Sequence, residues 1–126
     1  MKEIMCIIRL NKVNQTKDAL AEAGFPSITC RKVLGRGKKS LDKISEEFAH
    51  ANSEMYSGFS EAFTEGSRLI AKRFFTLIVK DEDVEKVVET IIDVNKTETP
   101  GDGKIFVIPI EESYRVRDGK SGEEVI

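Results

Sequence analysis

The chain is poor in the residues that build metal centres and covalent frameworks. Its 126 residues include one His and two Cys, with no Trp and three Pro. His50 has no Cys or His near it in sequence, so a zinc-type ligand set has nothing to assemble from, and no metal ligand is expected. Two cysteines allow one bridge at most. Cys6 and Cys30 both lie in strand-like apolar runs, and two buried thiols of a cytoplasmic protein are expected. There is no surplus of positive charge: 20 Lys and Arg face 22 Asp and Glu, for a net charge of -2. That balance excludes a protein that simply tracks a nucleic-acid backbone. Long apolar runs are missing too. The longest, from Phe74 to Val79, contains Thr76 and is far short of a membrane span, so no membrane insertion is expected. The start, M-K-E-I-M-C-I-I-R-L, has neither a long apolar centre nor a small-residue cleavage site, so a signal peptide is not expected.

What is present is an ordinary globular composition, 40% hydrophobic and 33% charged, of a size for one domain over residues 1–126. Lys2 to Leu10 reads as a mostly buried strand. Asn14 is a candidate N-cap for a helix over Gln15 to Ala23, which Gly24 and Phe25-Pro26 stop. Ser27 to Leu34 alternates as a second strand. Ile28, Cys30 and Lys32 point one way, and Thr29, Arg31 and Val33 the other. From Arg36 to about Lys72 no apolar face is sustained. This is far longer than the roughly 12–15 residues beyond which a connection inside a domain is uncommon and usually functional. Lys43 to Ala51 within it could form a short helix on binding a partner. Phe74 to Val79 is a third strand, and Asp81 is a candidate cap for the next helix. Val84, Val87, Val88 and Ile91 form one apolar stripe of that helix, which ends at Asn95 and Lys96. Lys104 to Ile110 is the fourth strand. The order is βαββαβ, an α+β ferredoxin-like arrangement with a long loop between strands 2 and 3. Both helices would cover one face of the sheet. The other face is largely apolar and needs a cover, which oligomerisation would supply.

Three basic segments could carry chemistry. Gly35-Arg36-Gly37-Lys38-Lys39 follows a strand, and Gly101-Asp102-Gly103-Lys104 opens one. Glycines let the backbone approach a ligand and present N–H groups, and the lysines add charge. Arg115 and Arg117 sit two apart, so in an extended segment both point to one side and call for an anion between them. Each segment alone is an ordinary solvated turn. Together, in a chain without net positive charge, they point to one compact polyanion such as a nucleoside triphosphate. No nucleophile–base constellation accompanies them, so a sensing role is expected rather than a catalytic one. An acylphosphatase-like hydrolase would need a poised arginine and asparagine, and Arg9 and Asn11 do not make that pair convincingly.

With these pieces in view the chain resembles the PII signal-transduction (GlnB-like) family. The matching segments are K-E-I-M-C-I-I-R, T-K-D-A-L-A-E-A-G-F, V-L-G-R-G-K, V-V-E-T-I-I, G-D-G-K-I-F-V and R-V-R-D-G. The run G-F-P-S-I-T-x-R-x-V-L-G-R-G-K further resembles the NifI-type branch found beside nitrogenase genes, in particular the second of its two paired paralogues. The resemblance implies a trimeric barrel with ATP or ADP in each cleft between subunits. It implies that Gly35, Gly37 and Lys38 cradle the nucleotide from one side, and that Gly101, Asp102, Gly103 and Lys104 form the second wall. Arg115 and Arg117 would reach the phosphates across the interface, with Thr29 and Ile78 near the adenine and ribose. Lys39 and Lys72 would fall at the 2-oxoglutarate end, Lys72 pairing with a carboxylate. Lys39 stands where the family usually has a Gln that helps hold Mg²⁺, and a charged lysine cannot ligate a cation. The implied function is nitrogen-status sensing, with residues 36–72 as an effector loop that binds a nitrogenase component. Regulation of an ammonium channel or another nitrogen-assimilation target is the alternative. The implied partners are further copies of this chain or a PII-like paralogue. Tyr56 has no alignable match to the tyrosine that some members have nucleotidylated, and that modification is not expected.

Overall fold

A computed structural model describes residues 1–37 and 69–126. Among the described residues, four strands and two helices follow in the order β1 (Lys2–Arg9), α1 (Val13–Glu22), β2 (Thr29–Gly35), β3 (Ile70–Val79), α2 (Val84–Asn95) and β4 (Gly103–Pro109). Short 3-10 turns at Leu10–Lys12, Asp81–Asp83 and Glu123–Val125 complete the described elements. The strands form one antiparallel sheet in the order β2-β3-β1-β4, the ferredoxin-like α+β fold. Met1–Val33 and Lys72–Ile126 form one compact unit, which holds both helices, β1, β4 and most of β2 and β3. The described residues of a second unit, 34–37 and 69–71, finish β2 and open β3. The Lys43–Ala51 helix expected for a bound state lies outside the described residues.

The core follows from strand alternation meeting two helical stripes. Ile4, Cys6 and Ile8 of β1 and Phe75, Leu77 and Val79 of β3 are buried on one face. Leu20 of α1 and Val87 and Ile91 of α2 pack onto them. Between the helices a polar relay is buried. Thr16 donates from Oγ1 to Lys12 O at 2.8 Å and accepts from Asn95 Nδ2 at 3.0 Å. Asn95 Nδ2 also donates to Ile91 O at 2.9 Å, closing the last turn of α2.

Register defines the opposite face. β1 pairs with β3 from Lys2↔Val79 to Arg9↔Lys72, and with β4 from Lys2↔Pro109 to Ile8↔Gly103. Met5, Ile7, Phe74, Ile78, Phe106 and Ile108 therefore share the side that carries no helix among the described residues. Phe106, Ile108 and Ile78 keep 47%, 40% and 42% of their surface exposed. An apolar sheet face open to this extent is unusual for a monomer.

Four local expectations are corrected. Helix α1 begins at Val13 directly after a 3-10 turn, so Asn14 lies inside it and Lys12 takes the cap position without a side-chain cap bond. Asp81 caps nothing: its Oδ1 accepts from the Met1 amino group at 2.7 Å, and Asp83 occupies the cap position of α2. Cys30 is exposed, unlike Cys6, whose thiol is pushed up to about 11 by burial. It lies on an edge strand, which has a neighbour on one side only. Strand β3 starts at Ile70 rather than Phe74, which places Lys72 inside the sheet.

Phe75 is fully buried at the centre of this core. Phe75→Ala should cost about 3–5 kcal/mol in urea unfolding, and a loss below about 1 kcal/mol would contradict the core described here.

Candidate functional site

The ladder between β1 and β4 begins at Ile8↔Gly103, so the chain from α2 must turn sharply just outside it. The turn covers Thr97 to Asp102 and, with Gly103 at the start of β4, uses two glycines. Gly101 has φ +98°, and Gly103 has φ +130°. A Cβ on Gly103 would lie 2.1 Å from the Ile7 carbonyl oxygen, so no side chain fits there.

One side chain organises this turn from the sheet. Arg9, the last residue of β1, donates from Nη1 to Asp102 Oδ1 at 2.6 Å and to Thr97 Oγ1 at 3.2 Å. From Nη2 it donates to Thr99 Oγ1 at 3.2 Å and to Pro100 O at 3.0 Å. Asp102 is engaged on both oxygens. Oδ2 accepts from the Thr97 backbone N–H at 2.7 Å, and Oδ1 also accepts from the Thr97 hydroxyl. Lys72, the cross-strand neighbour of Arg9, donates from Nζ to Gly101 O at 2.9 Å.

The electrostatics follow. The Thr97 hydroxyl and N–H, with Arg9, hold the Asp102 carboxyl well below the usual carboxylate range. Burial, and then the Arg9 charge beside it, lowers the Lys72 ammonium, while Asp102 opposes that shift. Two adjacent cations are thus balanced by one carboxylate and by neutral oxygens. Lys104, on the second residue of β4, has no ion-pair or hydrogen-bond partner among the described residues. A groove of about 430 Å³ adjoins the turn, lined by Ile8 and by Val88, Ile91 and Ile92 of α2.

The strand-borne side chains of Lys72, Lys104, Ile78 and Thr29 lie on the open face, but at its two ends. Lys72 and Lys104 are beside the turn. Ile78 pairs with Glu3 near the other end of β3. The Arg31 guanidinium lies 4.6 Å over the Phe74 ring, which places Thr29 beyond it towards Ile78. Ile78 lies six steps along β3 from Lys72, so the two ends are roughly 20 Å apart at about 3.3 Å per strand residue. The tail is tied to the Ile78 end: Ile110 N donates to Met1 O at 3.2 Å, and Glu123 Oε1 accepts from the Met1 amino group at 3.2 Å.

Arg115 and Arg117 are not in an extended segment. Tyr114 bridges to Ser121, and Arg115 N donates to Lys120 O at 2.7 Å, so the two arginines ride on a tight turn. Arg115 already holds an anion, Asp118, through Nη2 at 2.6 Å and Nε at 3.0 Å. Arg117 has no such partner among the described residues. Gly35 ends β2 and Gly37 follows it, whereas Lys38 and Lys39 lie outside the described residues. Arg9, which sequence reasoning set aside with the hydrolase reading, is the residue it missed. Its role depends on the register that sets Arg9 beside Lys72, a pairing between residues far apart along the chain. Among the described residues no group of three or more His, Cys, Asp or Glu is placed to hold a metal, and no helix is long and apolar enough to cross a membrane.

Asp102 supports a signed pH prediction. Its depressed native pKa means that its contribution to stability is complete above the ordinary value of 3.8 and is lost as pH falls from there through the native value. A carboxyl-detected NMR titration should find the Asp102 midpoint well below 3.8, and Arg9→Gln should move it upward. A midpoint at or above 3.8 in the unmodified chain would contradict the ion pair.

Comparison with known proteins agrees with this architecture. The family model "Nitrogen regulatory protein P-II" matches residues 1–120. The "Nitrogen fixation nifHD region GlnB-like protein 2" of Methanobacterium ivanovii is 48% identical, covering 100% of this chain and 99% of that protein. Its namesake in Methanococcus maripaludis is 45% identical over the whole of both chains. That of Methanosarcina barkeri is 42% identical, over 98% of this chain and 97% of its own. With the fold, the glycine turn and the family match in agreement, the chain belongs to the P-II family of nitrogen regulatory proteins.

Proposed function

We propose that this chain is a nitrogen-status sensor that binds ATP or ADP, responds to 2-oxoglutarate, and regulates nitrogenase by direct contact through residues 36–72. The observation that carries the reading is the division of the expected ligand residues between two ends of one sheet face. Lys72, Gly101, Asp102, Gly103 and Lys104 gather at one end, and Thr29, Ile78 and the tail with Arg115 and Arg117 belong to the other. A single nucleotide meets both sets where two copies bring opposite ends together. The exposed apolar face supplies the driving force for that assembly, a homotrimer or a mixed oligomer with a PII-like paralogue. The nif-region names of the relatives favour nitrogenase over an ammonium channel as the target.

In this reading the turn and Lys104 take the polyphosphate from one copy. Arg117, free of intramolecular partners among the described residues, reaches it from the next. Arg115 does the same after exchanging Asp118 for phosphate. Gly35, Gly37 and Lys38 add backbone and charge from the base of the 36–72 segment. Lys72 and Lys39 take 2-oxoglutarate, whose carboxylates complement two cations. Mg²⁺ enters no step here: Lys39 stands at the position that would hold it, and an ammonium has no lone pair to donate. The role is regulatory and no residue is assigned a catalytic one. Ligands shift the 36–72 segment between a target-binding and a released state only as far as their affinities for the two states differ. ATP with 2-oxoglutarate favours release, and ADP favours docking.

Calorimetry of the pure chain with ATP and then 2-oxoglutarate should show both binding. Arg115→Ala should weaken ATP about tenfold or more, as expected for a lost charge-assisted bond, and Lys72→Ala should abolish the 2-oxoglutarate heat. A chain that binds neither ligand, or that stays on nitrogenase in a pull-down whatever ligand is added, would overturn the sensor reading.

A further inference from the structure

We propose that Arg9 is a positioning residue for anion binding: with Lys72 it grips the carbonyl side of the Pro100–Asp102 turn, so that the turn's N–H side faces outward as the anion cradle. The inference rests on the proposed nucleotide binding and deepens it, because it names what shapes the site before any ligand arrives.

A trans peptide is planar, and its C=O and N–H point in opposite directions. The carbonyl of Pro100 accepts from Arg9 Nη2 at 3.0 Å, and the carbonyl of Gly101 accepts from Lys72 Nζ at 2.9 Å. These are consecutive peptide units. The N–H groups of the same two units, those of Gly101 and Asp102, must therefore point away from the two cations. Neither has a hydrogen-bond partner among the described residues. Successive N–H groups directed to one side form an anion-binding concavity.

The same geometry reassigns Asp102. Both of its oxygens are occupied by Arg9 and Thr97, so its carboxylate has no role as a direct partner of a polyanion, which it would repel. It is the counter-brace that keeps the guanidinium against the turn. The fork of Arg9 is essential, since four acceptors at four different positions are reached by two terminal nitrogens. A lysine would keep the charge and lose the span. Gly101 closes the packing. A Cβ on it would stand 3.3 Å from Arg9 Nη2 and 3.8 Å from Lys72 Nζ, so a side chain would press on both cations.

The test uses the full chain with two readouts. The first is amide hydrogen exchange without ligand, followed at Thr97, whose N–H is held by Asp102 Oδ2. The second is the ATP dissociation constant by calorimetry for Arg9→Lys, Asp102→Asn and the double variant. Arg9→Lys should speed Thr97 exchange and weaken ATP, each about tenfold or more, the scale of a hydrogen bond to a charged group. Exchange at the β1 and β3 amides should remain unchanged. Because the two residues act as one brace, the double variant should lose little more affinity than the worse single one. Additive losses with Thr97 still protected would make Arg9 a direct ligand contact and overturn the proposal, as would wild-type behaviour of Arg9→Lys. If Arg9→Lys does not fold, Thr97→Val, which removes only the hydroxyl between Arg9 and Asp102, should give the same direction in affinity, and unchanged affinity would count against the brace. If the unmodified chain binds no ATP, the nucleotide reading falls, and inorganic triphosphate replaces ATP as the probe: loss of its binding in Arg9→Lys supports the cradle, and undiminished or absent binding rejects it.

Discussion

The contact on which the rest depends is the grip of one guanidinium at the end of β1 on the turn that leads into β4. Arg9 and Lys72 are paired across adjacent strands, and like charges directly opposite one another repel. The arrangement persists because five acceptors are aimed at them. One carboxylate, two threonine hydroxyls and two consecutive carbonyls converge on the pair. The turn thus directs its negative ends to the sheet and keeps its positive ends for solvent. In the proposed reading, that division of dipoles makes a chain of net charge -2 locally attractive to an anion.

The open face of the sheet is the second constraint. Strand alternation commits Ile4, Cys6, Phe75 and Leu77 to the helices, which leaves Phe106, Ile108 and Ile78 on the opposite face with no helix over them among the described residues. Burying such surface contributes roughly 25 cal/mol per Å² of apolar area. In the proposed function, a site divided between the two ends of this face and the association that the face would drive are two consequences of the same β1–β3–β4 register. In the proposed assembly a nucleotide reports on the junction between copies, not on one copy alone.

Much of the fold is legible in the sequence. The element order comes from alternation in the strands and from the Val84, Val87, Val88, Ile91 stripe. The G-D-G-K-I-F-V and R-V-R-D-G segments lead to the family. What escapes a reading of the sequence is set by contacts distant along the chain. Asp81 has the local position of a cap, yet it serves the Met1 amino group. Alternation alone would bury Cys30, but β2 is an edge strand. Arg115 and Arg117 have the spacing of an extended pair, and a short turn closed by Lys120 and Asp118 bends them instead. Arg9 carries no local signal. Its importance arises only when β1 is laid beside β3 and the Thr97–Asp102 turn folds back over the pair.

The most direct test of the central claim is an amide-resolved NMR titration of the unmodified chain with ATP. The account predicts that the largest early shifts fall on the N–H groups of Gly101 and Asp102, with Lys104 following and the Arg9–Asp102 contact intact. Shifts confined to other parts of the chain, with those two amides unmoved at saturation, would contradict it.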